Sequence, residues 1–212
     1  MEPQEKSLSP LLTIWFAPRQ TIRRLVDADP HKHVYLLAIL SGIILTLNRA
    51  SSTNLGDRIP LPYILLICII AGPILGIAVV YIFGVLMHWI GIRFSGQASP
   101  YEVRAAFAWS AVPNLCVTIL SIPLLILLGE DYFKSTPPDI FFSPVITLLF
   151  LLILVIQIVI SIWAIIIFIV CLSEVHRFSI WKSVATSFVS VLIIFVPLYF
   201  ILLFSSAFTM SP

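Results

Sequence analysis

The run PVITLLFLLILVIQIVISIWAIIIFIVCL, residues 144–172, decides the fold. It carries no Asp, Glu, Lys or Arg, and the uncharged stretch extends across positions 140–173. As a helix, Pro144–Leu172 would be ~43 Å long at 1.5 Å per residue. A bilayer hydrocarbon core is ~30 Å thick. The segment therefore crosses a membrane, and it must tilt or project beyond the core.

Working outward, four further apolar spans can be drawn: Val34–Asn48, Leu61–Ile90, Ala105–Leu128 and Trp181–Phe208. The whole chain of 212 residues is 60% hydrophobic and only 10% charged, with a mean hydropathy of +1.10. A soluble domain carries ~25% charged residues, and a water-soluble core of this length could not hide so much apolar surface. The expected fold is all-α and polytopic, with five transmembrane helices and a short N-terminal interfacial amphipathic helix. Residues 1–32 form the N-terminal segment and 33–212 the five-span domain. Helix-start chemistry agrees with the hydropathy. Asp29-Pro30, Ser99-Pro100 and Ser143-Pro144 each set an N-capping side chain before a proline, and Ser99 with Glu102 matches a capping box.

Lys and Arg set the expected orientation. An odd number of spans separates the termini. With a cytoplasmic N-terminus, that side holds Lys6, Arg19, Arg23, Arg24, Lys32, Arg93, Arg104, Arg177 and Lys182, against Arg49, Arg58 and Lys134 on the far side. This satisfies the positive-inside rule. Only sixteen residues separate Lys32 from Arg49. Either Arg49 snorkels to the far interface or the first helix continues with Arg49 inside the bundle. Residues 18–26 read as an amphipathic helix with Ile22, Leu25 and Val26 on one side and Arg19 and Arg23 on another. It lies either on the cytoplasmic leaflet, its arginines towards anionic headgroups, or against the protein's own face.

Several classes of function find no support. Net charge +2 without a dense basic patch gives nucleic acid no phosphate-tracking stripe. Cys68, Cys116 and Cys171 lie in apolar runs without zinc or disulfide spacing and are expected to be buried and inert. His31 and His33 are too close in sequence to share a helical face, so no metal is expected. The N-terminus lacks a signal-peptide pattern. No catalytic motif is present, and no catalytic or cofactor-binding residue is assigned.

Polar groups inside spans need internal partners, so these are the positions to examine. Pro113-Asn114 sits in the middle of the third span, where proline frees a carbonyl. Gln157 and Ser161 are one turn apart in the fourth. Together with Arg49, Asn114, Gln157 and Ser161 form a candidate intramembrane polar site for a small transporter or channel. Gly72 and Gly76 give the second span a small-residue face for packing in the bundle or for dimerisation. His88, beside Trp89, reads as a hydrated interfacial histidine. Glu102 with Arg104, and Glu174 with His176 and Arg177, make charged turns on the cytoplasmic side. They either fix helix depth or join Arg19 and Arg23 in a patch that recognises a protein or a lipid headgroup.

IWFAPRQTIRRLVD (14–27), PYEVRAAFAWSAVPN (100–114) and EVHRFSIWKSV (174–184), with five spans between them, resemble the Yip domain of Ypt-interacting proteins. The resemblance covers nearly the whole chain. It implies an all-helical five-span bundle with a cytoplasmic N-terminus and a non-enzymatic role. Pro18, Arg19, Glu102, Pro113, Glu174 and His176 are then structural or interaction determinants. Eukaryotic relatives act in vesicle traffic and associate with prenylated small GTPases. Here the N-terminal segment is only ~32 residues, which weighs against a GTPase partner and is similar to the short prokaryotic members. The expected role is to organise membrane or partner proteins, including further copies of the chain, in the plasma membrane if the source is prokaryotic.

Overall fold

The computed structural model describes residues 9–136 and 144–209. Among these, every regular element is helical: α1 (Pro10–Phe16), α2 (Pro18–Ala28), α3 (Val34–Ser52), α4 (Leu61–Arg93), α5 (Pro100–Ser110), α6 (Val112–Thr118), α7 (Ile122–Leu128), α8 (Pro144–His176) and α9 (Ile180–Thr209). Short 3-10 turns lie at Leu55–Asp57, Ile119–Ser121 and Gly129–Phe133. Five stretches are long and apolar enough to cross a membrane: Val34–Ser52, Leu61–Arg93, Pro100–Phe133, Pro144–His176 and Ile180–Ile201. The chain is a five-span polytopic protein.

Helix starts follow local chemistry, with one correction. At α5 the capping box is complete: Ser99 Oγ accepts the Glu102 N–H at 3.3 Å, and the Glu102 carboxylate accepts the Ser99 N–H. At Asp29-Pro30 no helix begins. Asp29 Oδ1 accepts the His31 N–H at 2.8 Å and closes a turn. Helix α3 starts only at Val34, after His33 in the left-handed region at φ 62°. The Ser143 cap, like Lys6 and Asp139, lies outside the described residues.

The third span is not one rod. It breaks into α5, α6 and α7, with Pro113 and Pro123 in the first turns of α6 and α7. A proline there sacrifices no helical hydrogen bond. The first span runs past Asn48 to Ser52, or ~28 Å of helix. Arg49 lies in its last turn and is exposed, so it does not turn into the bundle.

Small residues line the closest helix contacts, and many large aliphatics face outward. Gly42 of α3 meets Gly72 and Gly76 of α4. A Cβ on Gly42 would lie 2.0 Å from Gly72 O, and one on Gly76 would lie 2.0 Å from Ala38 O. The glycine face of the second span is therefore used within the chain, where it brings two backbones together. Ala105, Ala106 and Ala108 of α5 are buried, whereas Ile69, Ile74, Leu148, Ile165 and Phe188 point outward. In a bilayer such outward side chains meet lipid, which is as apolar as they are. Cys68 and Cys171 are buried, but Cys116 is on this outer surface, contrary to the expectation of three buried thiols.

Helix α2 is amphipathic as the sequence indicates, and its apolar stripe of Ile22, Leu25 and Val26 is buried on the bundle, in contact with α5 and α8. Protein, rather than lipid, covers that stripe.

Candidate functional site

Most of the sequence-derived candidates gather at the end of the bundle that carries α1 and α2. Its centre is Arg23. The Arg23 Nε and Nη2 donate to Glu174 Oε1 at 3.1 and 2.9 Å, and Nη2 also donates to the Glu174 main-chain carbonyl at 2.8 Å. That carbonyl belongs to the last turn of α8, where it also accepts the Arg177 N–H at 3.2 Å. A cation is also favoured at this end of a helix dipole. One arginine thus joins α2 to the end of α8.

The end of α8 is locked by its own chain. Arg177 adopts the left-handed conformation at φ 55°, Phe178 N–H donates to Ser173 O at 3.2 Å, and Ser173 Oγ donates to Phe178 O at 2.9 Å. This reversal exposes Arg177 and buries His176. The imidazole stacks on Phe178 with ring centroids 4.9 Å apart. It fills a cradle made by two glycines, where a Cβ on Gly91 or Gly96 would come within 2.4 or 2.2 Å of the ring. Its main-chain carbonyl accepts Gln97 N–H at 3.1 Å. Among the described residues neither ring nitrogen has a hydrogen-bond partner. His176 therefore holds the α4–α5 loop against α8 by shape.

Neighbouring groups tie the same end together. Lys182 Nζ donates to Phe94 O at 3.0 Å and so caps α4. His88 Nδ1 pairs with Ala98 O at 2.9 Å, so it is a bridging group rather than a freely hydrated one. Glu102 is committed to the capping box. Arg104 Nε donates to Pro100 O at 3.1 Å, and its guanidinium stands over the rings of Tyr81 and Tyr101.

The N-terminal segment runs down α8. Arg23 pairs with Glu174, Cys171 Sγ lies 3.8 Å from Pro18 O, and Trp163 Nε1 donates to Trp15 O at 3.2 Å. From Glu174 to Trp163 is ~16 Å along a helix. Ile14 is buried by this docking, and Leu11, Leu12 and Phe16 remain exposed, Phe16 at 89%. Arg19 and Arg24 are exposed beside them.

The second group lies deeper. Ser161 Oγ donates to Asn114 Oδ1 at 3.2 Å, Gln157 Nε2 donates to Ser121 Oγ, and Thr118 Oγ1 donates to Asn114 O at 2.8 Å. Asn114, Gln157 and Ser161 line a cavity of about 260 Å³ with Ser41 and Asn48. Gln157 is also in the wall of a second cavity, about 330 Å³, that reaches Asp131 and Lys134. The exposed Arg49 joins neither group of lining residues.

At the opposite end, Asp57 Oδ1 accepts the Ser135 N–H at 3.1 Å. Hydrogen bonds from Ser135 hold the Asp57 carboxyl below the usual aspartate range. Lys134 donates to Asp131 Oδ1 at 3.0 Å, and that hydrogen bond holds its ammonium above the usual lysine range. Among the described residues no cluster of His, Cys, Asp or Glu is arranged to hold a metal ion.

Sequence reasoning named Arg23, Glu174, His176 and Arg177 but not the pairing or the reversal that organises them. It missed Gly91 and Gly96, whose only signal is their lack of a side chain, and the aromatic partners of Arg104. It missed Ser121 as the partner of Gln157 as well.

A family model described as the Yip1 domain matches residues 12–203. No curated protein and no solved structure matches the chain.

Proposed function

The chain belongs to the Yip1 domain family of membrane proteins, and from that premise we propose that it is a non-enzymatic organiser that captures a membrane-associated partner on its N-terminal face. One observation carries this reading. The Arg23–Glu174 clamp fixes α1 and α2 on the bundle while leaving Leu11, Leu12, Phe16, Arg19 and Arg24 outward. An ordered apolar patch rimmed by cations suits association with another protein. The excess of Lys and Arg at this end of the bundle supports a cytoplasmic placement for it by the positive-inside rule.

The test is capture from native membranes in mild detergent, with bound proteins identified by mass spectrometry. Phe16→Ser combined with Arg19→Glu and Arg24→Glu alters only exposed positions. It should lose the wild-type partners and keep the wild-type melting temperature. An unchanged set of partners refutes the reading.

A second reading, a small transporter or channel, draws on the convergence of Asn114, Gln157 and Ser161 at a cavity. It requires solute flux in reconstituted vesicles that Asn114→Leu abolishes. Absence of flux from the wild-type protein removes it.

A further inference from the structure

Among the described residues Arg104 has no ion-pair partner: the ion pairs are Arg23–Glu174 and those of Lys134 with Glu130 and Asp131, and Glu102, two residues away, is spent on the capping box. Yet Arg104 is half-buried and sits beside Gly84. Gly84 is nine residues, ~14 Å of helix, from the end of α4 at Arg93. Arg104 is the fifth residue of α5, so its charge lies near the mouth of the third span, at a level where an anionic headgroup can meet it.

The surroundings hold the guanidinium in one place. Its stem occupies the space Gly84 leaves, where a Cβ would fall 2.4 Å from Arg104 Cγ. Nε is tied to Pro100 O. The planar group lies 4.3 Å from the Tyr81 ring centroid and 4.6 Å from that of Tyr101. Tyr81 is itself fixed by the Tyr35 hydroxyl at 2.6 Å, and His31 packs on Tyr101 at 4.6 Å. Only Nε is used. The Nη donors have no partner among the described residues. Tyr35 and Tyr101 are half exposed, so the cluster opens to the outside of the bundle. The notch they line has room for about 10 Å³, so a ligand rests on its rim.

We propose that Arg104 binds the phosphate of an anionic membrane lipid in the leaflet on the N-terminal side. A guanidinium offers a phosphate two parallel N–H donors. Tyrosine rings at the interface accommodate the glycerol and the first acyl carbons. The outward aliphatics Leu36, Ile82 and Val85 give the chains an apolar surface on which to lie. The proposal stands apart from the capture of a protein partner.

Native mass spectrometry of the purified chain, titrated with phosphatidylglycerol, phosphatidylcholine or inorganic phosphate, tests it. Arg104→Gln should weaken phosphatidylglycerol binding by roughly tenfold or more, the worth of one or two charge-assisted hydrogen bonds. Arg104→Lys should weaken it by several-fold, because the stacked fork is lost although the charge remains. Arg24→Gln, an exposed cation on the same end, should change it less than about twofold, as expected for a surface charge. Phosphatidylcholine, whose choline cation offsets the charge of its phosphate, should bind more weakly and lose less affinity than phosphatidylglycerol on Arg104→Gln, and inorganic phosphate should not displace phosphatidylglycerol.

Undiminished phosphatidylglycerol affinity in a folded Arg104→Gln protein overturns the proposal. Should that variant fail to fold, wild-type affinity in Arg104→Lys overturns it. Displacement by inorganic phosphate at concentrations equal to the lipid overturns the assignment to lipid.

Discussion

The Arg23–Glu174 contact is where single side chains decide most. It joins positions 151 apart in sequence through three hydrogen bonds, and both side chains are about three-quarters buried. Removing the arginine should cost ~1 kcal/mol of global stability, because a partly exposed pair is worth little more. Its local effect is larger. In Arg23→Ala, amide exchange across Pro18–Ala28 should rise well above wild type, with α3 and α4 unchanged. Equal protection of α2 in both proteins would show that apolar burial alone seats it. The sequence displays both residues as charged ends of apolar segments, but charge type says nothing about pairing at long range.

The far-face contact is also decided by single residues, and pH tests it. Asp57 has a lowered folded value, so its stabilisation is present above the ordinary aspartate value of about 3.9 and disappears as pH falls through the folded value. Lys134 has a raised value, so its contribution is complete below the ordinary lysine value of about 10.4 and is lost as pH rises through the raised one. The contact of Asp57 with Ser135 should therefore persist from pH 5 to 9 and loosen in strong acid. Exchange at residues 55–58, corrected for intrinsic rates, measures this. A transition near pH 6.5 would implicate a histidine instead.

At the scale of elements, the α3–α4 contact joins the first two spans at close range. Gly42, Gly72 and Gly76 allow backbone to meet backbone. Gly42→Val or Gly76→Val should destabilise the detergent-solubilised protein by roughly 3 kcal/mol, at the upper end of overpacking costs. Ile74→Val, on the outward surface of the same helix, should change it by less than about 0.5 kcal/mol. Thermal melts of the three variants check this. Similar melting temperatures would mean that the glycine contact is not what joins the helices.

The spans and the Ser99–Glu102 cap were legible at this scale because length, hydropathy and proline position act locally, whereas Asp29-Pro30 closes a turn and starts no helix. The Gly72–Gly76 spacing was legible, and Ala38 with Gly42 gives the first span a matching small-residue pair that the sequence reading passed over, although spacing alone does not say which faces meet. The stripe of Ile22, Leu25 and Val26 was legible as apolar. Whether lipid or protein would cover it was not, because both solvents select the same side chains. The break at Pro113 was visible, whereas the meeting of Gln157 with Ser121 depends on how α6 and α7 lean on α8. Arg49 was misleading in the opposite way. Its short distance from Lys32 left an interior position open, and the extension of α3 to Ser52 carries it outward.

At the scale of the molecule, five apolar helices separate two unlike ends. One gathers the fixed N-terminal segment, the locked end of α8 and most of the cationic side chains. The other, as far as it is described, holds short turns around Asp57, Asp131 and Lys134. The account places the first end in the cytoplasm and gives it the working surface. Single cysteines introduced as Arg24→Cys or Ser135→Cys, with Cys68, Cys116 and Cys171 replaced by alanine, test that placement in right-side-out vesicles with a membrane-impermeant thiol reagent. The account predicts that Ser135→Cys labels at once and that Arg24→Cys labels only after the vesicles are opened. Immediate labelling of Arg24→Cys with protection of Ser135→Cys, or labelling of both from one side, would contradict it.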